Sequence, residues 1–183
     1  MSIPYMISVM SHDRVGIIAD VTGAIKSLHG NLEDLSQTVM KGYFTMLLLA
    51  TFPDGTEEDA LRKALHAVKG LSSFEIGVLP YENTDNTPDD HENSSNLYVL
   101  TATGPDDVGL VAALSSYLKL KQINIIDLAS KNDQGNYIMM FLVKLPDGTN
   151  VAKLKKGLQI AMEKYGLTVE LRHQAIFSKT NEN

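Results

Sequence analysis

The chain repeats itself. Ser11-His12-Asp13-Arg14-Val15-Gly16-Ile17-Ile18-Ala19 aligns with Gly104-Pro105-Asp106-Asp107-Val108-Gly109-Leu110-Val111-Ala112, an offset of 93 (109 − 16). The same offset, without a gap, pairs Asn31 with Asn124, Asp34-Leu35 with Asp127-Leu128, Gly42 with Gly135, Met46 with Met139, and Pro53-Asp54-Gly55-Thr56 with Pro146-Asp147-Gly148-Thr149. A register held this far means that one supersecondary unit is built twice, which restricts the fold to what a single half can form.

The halves are joined by a stretch from Glu82 to Ser95 in which Pro88 is the only apolar side chain. With no periodicity, that stretch is expected to be a solvated tether. The expected organisation is a first domain over 1–82, a polar linker over 83–95, a second domain over 96–178 and a polar tail over 179–183.

Within each half the hydrophobic period changes in a fixed order. Tyr5 to Met10 alternates like a strand. Val15 to Leu28 places Val15, Ile18, Thr22, Ile25 and Leu28 at helical spacing, and Gly30-Asn31 supplies residues that tolerate the left-handed conformation at a helix stop. Leu32 to Met40 and Tyr43 to Phe52 flank Lys41-Gly42 as a hairpin. Thr56 and Asp59 resemble a capping box opening a second helix, with Ala60, Leu61, Ala64, Leu65 and Val68 facing inward, and Phe74 to Leu79 closes the unit as a strand. The second half follows the same path through Leu97–Thr103, Val108–Lys121, Ile125–Ser130, Tyr137–Leu145, Val151–Tyr165 and Leu167–Phe177. The predicted fold class is therefore α+β, two tandem ferredoxin-like βαββαβ modules. Each has a four-stranded antiparallel sheet with both helices on one face, since each helix has one apolar stripe to bury.

Composition removes several chemistries. There is no cysteine, so disulfides, iron–sulfur clusters, thiolate zinc sites and thiol nucleophiles are excluded. A net charge of −6 disfavours direct attraction to nucleic acid. The N-terminal apolar stretch has no basic flank or cleavage site and no apolar run reaches the roughly 20 residues of a membrane-spanning helix, so a cytoplasmic protein without membrane contact is expected. His12, His29, His66, His91 and His173 show no ligand spacing, which predicts no metal site, and no cofactor motif is visible. Met46, Met139 and Met140 read as core filler.

Asp13-Arg14-Val15-Gly16 between strand and helix, followed by Asn31-Leu32 after the helix, resembles the ACT domain of amino-acid regulatory proteins. The likeness covers both halves. Asp34-Leu35-Ser36-Gln37-Thr38 with Gly42-Tyr43-Phe44-Thr45-Met46 is similar to small stand-alone ACT proteins, and the tandem layout resembles the glycine cleavage system transcriptional repressor family. The resemblance implies that two modules pair through their second strands into one eight-stranded sheet. A ligand would then lie between the first-helix N-terminus of one module and the second strand of its neighbour. Carried over by motif position, the ligand-facing residues are Ser11, Asp13, Arg14, Gly16, Asn31 and Leu32 in the first copy and Gly104, Asp106, Gly109, Asn124 and Ile125 in the second. The family often has Pro before the glycine; here Val15 and Val108 stand there.

Each of these residues also has a simpler use. A helix N-terminus suits a carboxylate through its unpaired N–H groups, and Asp13 or Asp106 could hold an ammonium group, yet an Asp there is equally an N-cap. Gly16 and Gly109, read as first-turn helical residues, would serve either close ligand approach or tight packing. Asn31 and Asn124 could be helix-stop residues or ligand contacts. Arg14 aligns with Asp107, so the two sites should differ, the Arg14 copy favouring a carboxylate.

Three functions follow as hypotheses. The leading one is a non-catalytic regulatory protein that binds a small molecule, most simply an amino acid, and passes the signal on by self-association as a homodimer or by contact with another protein. The second is a transcriptional regulator acting through a partner protein, without a DNA-binding motif of its own. The third, an enzyme, lacks any visible nucleophile or acid–base pair.

Overall fold

The computed structural model describes residues 2–82 and 96–175. The expected linker over 83–95, the tail over 179–183 and the expected end of the final strand at Phe177 lie outside the described residues. The chain forms two compact units, Met1–Asp85 and Asn86–Asn183. Their elements are β1 (Ile3–His12), α1 (Ile17–Ser27), β2 (Asn31–Met40), β3 (Tyr43–Phe52), α2 (Glu58–Ala67) and β4 (Glu75–Pro80), then β5 (Leu97–Pro105), α3 (Leu110–Leu120), β6 (Asn124–Asp133), β7 (Asn136–Lys144), α4 (Val151–Glu163) and β8 (Thr168–His173).

Each unit is a ferredoxin-like βαββαβ module. The first sheet runs β2-β3-β1-β4 and the second β6-β7-β5-β8, with every pairing antiparallel. The described strands thus make two sheets of four, and the single sheet of eight that the resemblance implies is not among their hydrogen-bonded pairs. The hairpins turn on Lys41-Gly42 and Gln134-Gly135, all four with positive φ (49°, 84°, 51° and 87°). Two successive positive-φ residues make the tight turn whose twist matches antiparallel strands, and glycine in the second place lowers its cost.

The core lies between one face of each sheet and its two helices. In the first module Tyr5, Ile7 and Val9 alternate along β1, and Ile17, Val21, Ala24 and Ile25 of α1 pack on them with Leu61 and Leu65 of α2. In the second, Leu110, Leu114 and Leu118 of α3 and Leu154, Leu158 and Met162 of α4 cover Leu100, Ala102 and Phe141. Each fully buried side chain of this size contributes about 1.5–3 kcal/mol against exposure.

Several expectations are corrected. The buried stripe of α1 is Ile17-Val21-Ala24-Ile25, whereas Val15 precedes the helix and is 98% exposed and Ile18 is 44% exposed. Ala60 is exposed on α2. Thr56 does not cap α2: its Oγ1 donates to Pro53 O at 2.7 Å, and the N-cap residue Glu57 makes no side-chain cap bond. At the same position of the second module Asn150 Oδ1 accepts from Lys153 N at 2.9 Å, so only that helix has a side-chain cap. Met46 and Met139 are buried, but Met140 faces the other side of the sheet and is half exposed.

Candidate functional site

Both β1–α1 turns are built around glycine. Gly16 (φ 90°) and Gly109 (φ 88°) are the N-cap residues of α1 and α3, not members of the first helical turn. A Cβ at Gly109 would meet nothing within 4 Å and one at Gly16 only Arg14 Nη1 at 3.9 Å. Left-handed backbone, not crowding, therefore requires glycine at these two positions. Neither helix has a side-chain cap, so the first-turn N–H groups lie open beside Val15 and Val108, which are 98% and 97% exposed.

Asp13 and Asp106 are consequently not N-caps. Each backbone N–H is held by the neighbouring hairpin, Asp13 N to Gly42 O at 2.9 Å and Asp106 N to Gly135 O at 3.1 Å. The Asp106 carboxylate also accepts from Asn132 Nδ2 at 2.5 Å, while Asn132 Oδ1 accepts from Gly135 N at 3.3 Å. Val39 occupies the equivalent of Asn132 in the first module, so Asp13 lacks that brace. Ser11 Oγ donates to His12 O at 3.0 Å, and the His12 ring lies on Tyr43 with centroids 4.5 Å apart. Gly104, the counterpart of Ser11, sits where a Cβ would fall 2.6 Å from Gly166 O. Packing alone accounts for that glycine.

Arg14 is already engaged. Its Nη2 donates to Asp20 Oδ2 at 2.6 Å and to Gly70 O at 3.1 Å, and the guanidinium lies 5.4 Å from the Phe74 ring centroid. This removes the basis for preferring the first copy as a carboxylate site, because the charge is answered within the module.

The helix stops also differ from expectation. His29 (φ 59°) and Gln122 (φ 56°) take the left-handed conformation, not Gly30 or Asn31. Their N–H groups bond to Lys26 O and Lys119 O at 3.0 Å, and Gly30 N and Ile123 N reach Ile25 O and Leu118 O at 2.9 and 3.0 Å, the paired closure of a Schellman ending. Asn31 and Asn124 are then free to open β2 and β6, both exposed.

Strand register sets the distance between the two groups of candidates. Ser11 pairs with Phe44 and Asn31 with Thr51, seven positions apart on β3, or about 23 Å at strand rise. Gly104 and Asn124 are likewise separated by the seven positions from Tyr137 to Lys144 on β7. The structure brings Ser11, Asp13 and Gly16 together at one end of the first sheet and Asn31 and Leu32 at the other, and the second module repeats this arrangement.

At the Asn124 end of the second module an open depression of about 440 Å³ is lined by Ser115, Lys119, Gln122, Ile123, Asn124 and Ile125. Ser115, Lys119 and Gln122 were missed by reading outward from the motif, although their repeat partners Thr22, Lys26 and His29 were available. Elsewhere, burial pushes the Tyr117 phenol above its usual range. Among the described residues no polar or charged residue is buried, and no group of three or more His, Asp or Glu could hold a metal ion. No described helix is long and apolar enough to cross a membrane.

Two ferredoxin-like modules in tandem, each with an open, uncapped turn before its first helix, define a class of α+β protein in which the sheet carries candidate residues at both ends. Residues 5–69 and 96–172 both match the ACT domain, and the chain belongs to the ACT domain family. It is 47% identical over 75 residues to a UPF0237 protein of Methanosarcina mazei, an alignment spanning 40% of this chain and 82% of that one. Among solved structures, a protein of unknown function from Galdieria sulphuraria superposes with a TM-score of 0.72 at 24% identity, covering 94% of this chain and 98% of that one. A structure provisionally assigned as a glycine cleavage system transcriptional repressor superposes with a TM-score of 0.67 at 16% identity, covering 94% and 97%. At these identities the two likenesses speak for the fold.

Proposed function

We propose that this is a non-catalytic regulatory protein that binds a small molecule, most simply an amino acid, where one ACT module pairs with another. The observation that carries this reading is the opposite placement of the candidates in every module: a ligand touching both the glycine turn and the start of β2 or β6 needs two modules. The exposed outer edge of β2 supports such pairing, because among the described strands β2 is hydrogen-bonded to β3 alone and a free strand edge invites a partner strand. The open helix N-terminus beside an exposed valine suits a ligand with a carboxylate and a small apolar part. The output is a shift in self-association or in contact with a partner protein, with a coupling of about 1–3 kcal/mol.

The test is thermal unfolding of the full chain against the proteinogenic amino acids, repeated with Asn31→Ala and Asn124→Ala. A ligand at about 100 times its Kd should stabilise the folded state by about 2.7 kcal/mol, and one Asn variant should abolish the shift. No shift with any amino acid removes the amino-acid reading.

A further inference from the structure

We infer that the depression at the C-terminal end of α3 is an anion-recognising pocket for the carboxylate of a small organic acid or amino acid, with Lys119 as its charged anchor. The inference deepens the functional reading above and rests on it for the role of Asn124. Ser115 and Lys119 are four residues apart and so share one face of α3, and with Gln122 and Asn124 they line the depression, with Ile123 and Ile125 as its apolar part. One ammonium, one hydroxyl and two carboxamides around an open space offer several donors to a carboxylate. Among the described residues Lys119 is paired with no carboxylate.

The common structural use of a lysine in a last helical turn is to answer the free carbonyls and the helix dipole. Here the carbonyls of Tyr117, Leu118 and Lys119 already accept from backbone N–H groups of Lys121, Ile123 and Gln122, so no carbonyl among these needs the ammonium. The repeat keeps residue type at three of these positions. Over the aligned helices 17–27 and 110–120, the only identical polar residue is Lys26/Lys119, and Thr22/Ser115 alone keeps a hydroxyl. Asp20 is replaced by Ala113 and Ser27 by Leu120, so the solvent face as a whole is not held. Of the six residues lining the depression, Ser115, Lys119 and Asn124 stand where the first module has Thr22, Lys26 and Asn31, whereas Gln122 and Ile123 stand where it has His29 and Gly30.

The modules differ at the strand bulge just beyond it. The irregular residue is Glu33 in β2 and Ile126 in β6. A carboxylate two residues from Asn31 opposes an anion in the first module, and the second module has none there. The second module is therefore the anion site.

The experiment is an amide ¹H–¹⁵N titration of the full chain with sodium acetate, glycine and glycinamide at constant ionic strength. Acetate and glycine should shift the amides of Gln122 to Ile126 saturably, and glycinamide should not. Lys119→Gln, an exposed change, should weaken the response at least about tenfold, while Lys26→Gln leaves it unchanged. An undiminished response in Lys119→Gln overturns the inference, as does an equal response to sodium chloride. Glycine shifts confined to the Asp13–Gly16 and Asp106–Gly109 turns would overturn it while leaving the functional reading intact. A Lys119-dependent response of both acids, with no amino acid changing the assembly or stability of the chain, would uphold the pocket and remove the regulatory reading.

Discussion

Where the first module has Gly30 against Phe52, the second has Ile123 with Leu145 at the equivalent positions. A Cβ on Gly30 would lie 2.5 Å from the Phe52 ring and 2.8 Å from Ile25 Cγ2, whereas Ile123 is itself buried in the core cluster that also holds Leu118 and Leu145. The volume is filled from the strand in one module and from the helix stop in the other. A second contrast lies at the other end. Arg14, Asp20, Gly70 and Phe74 tie the β1–α1 turn to the segment after α2, and their counterparts Asp107, Ala113, Glu163 and Leu167 cannot form that cluster. The second module instead ties its turn to its hairpin through Asp106 and Asn132. The same backbone path thus tolerates exchanged partners, provided each exchange is made in pairs.

The strongest way to break this comparison is to make half of an exchange. Gly30→Ile should destabilise the first module by about 3 kcal/mol or more through overpacking. Adding Phe52→Leu should recover part of that loss, with a coupling of about 0.5–3 kcal/mol in a double-mutant cycle. Urea unfolding of the three variants measures it. Strict additivity would mean that the two positions do not share one volume.

A smaller effect tests what the modules hold in common. Gly16→Ala and Gly109→Ala should each cost about 1–2 kcal/mol, because the penalty is the left-handed backbone and the surrounding space is open in both. Amide hydrogen exchange, read separately in α1 and α3, checks that the two costs are alike. A large difference would show that one turn is crowded after all.

How much of this was legible in sequence varies by element. The hairpin turns were, since Lys41-Gly42 and its repeat partner carry a local signal that tertiary contacts need not supply. The start of α1 was not, because Val15 happens to fall in phase with the helical stripe, and periodicity cannot distinguish a core residue from one that is 98% exposed. Motif position supplied only candidates for the site, and their separation to opposite ends of the sheet depends on cross-strand register, which no local pattern encodes. The engagement of Arg14 was hidden for the same reason: Gly70 reaches it only through the fold. Lys119 was within reach, because the repeat alignment that identified Asn124 also aligns Lys26 with Lys119.

Arg14→Ala sharpens the second contrast. The Arg14–Asp20 pair is about two-fifths exposed on both sides, so its loss should cost only about 0.5–1 kcal/mol and shrink with added salt. Asp107→Ala in the second module should cost less, since Asp107 has a single near-neighbour bond, to Val108 N. Urea midpoints at low and high salt compare them, and a salt-independent loss at Arg14 would assign its role to packing on Phe74.

The smallest expected difference is one of pH. Tyr117 lies close to α4, where a Cβ on Gly157 would fall 2.5 Å from its hydroxyl, and Ala24 is its counterpart in the first module. Burial raises its pKa, so the folded state favours the neutral phenol. The contribution is fully present below the unfolded value near 10 and is lost as the pH rises through the higher folded value. Tyr117→Phe, which cannot ionise, should therefore lose less stability between pH 8 and about 11 than the parent chain. Urea unfolding at both pH values measures the difference, and an equal loss in both proteins would mean that the phenol is as well solvated in the folded module as in the unfolded chain.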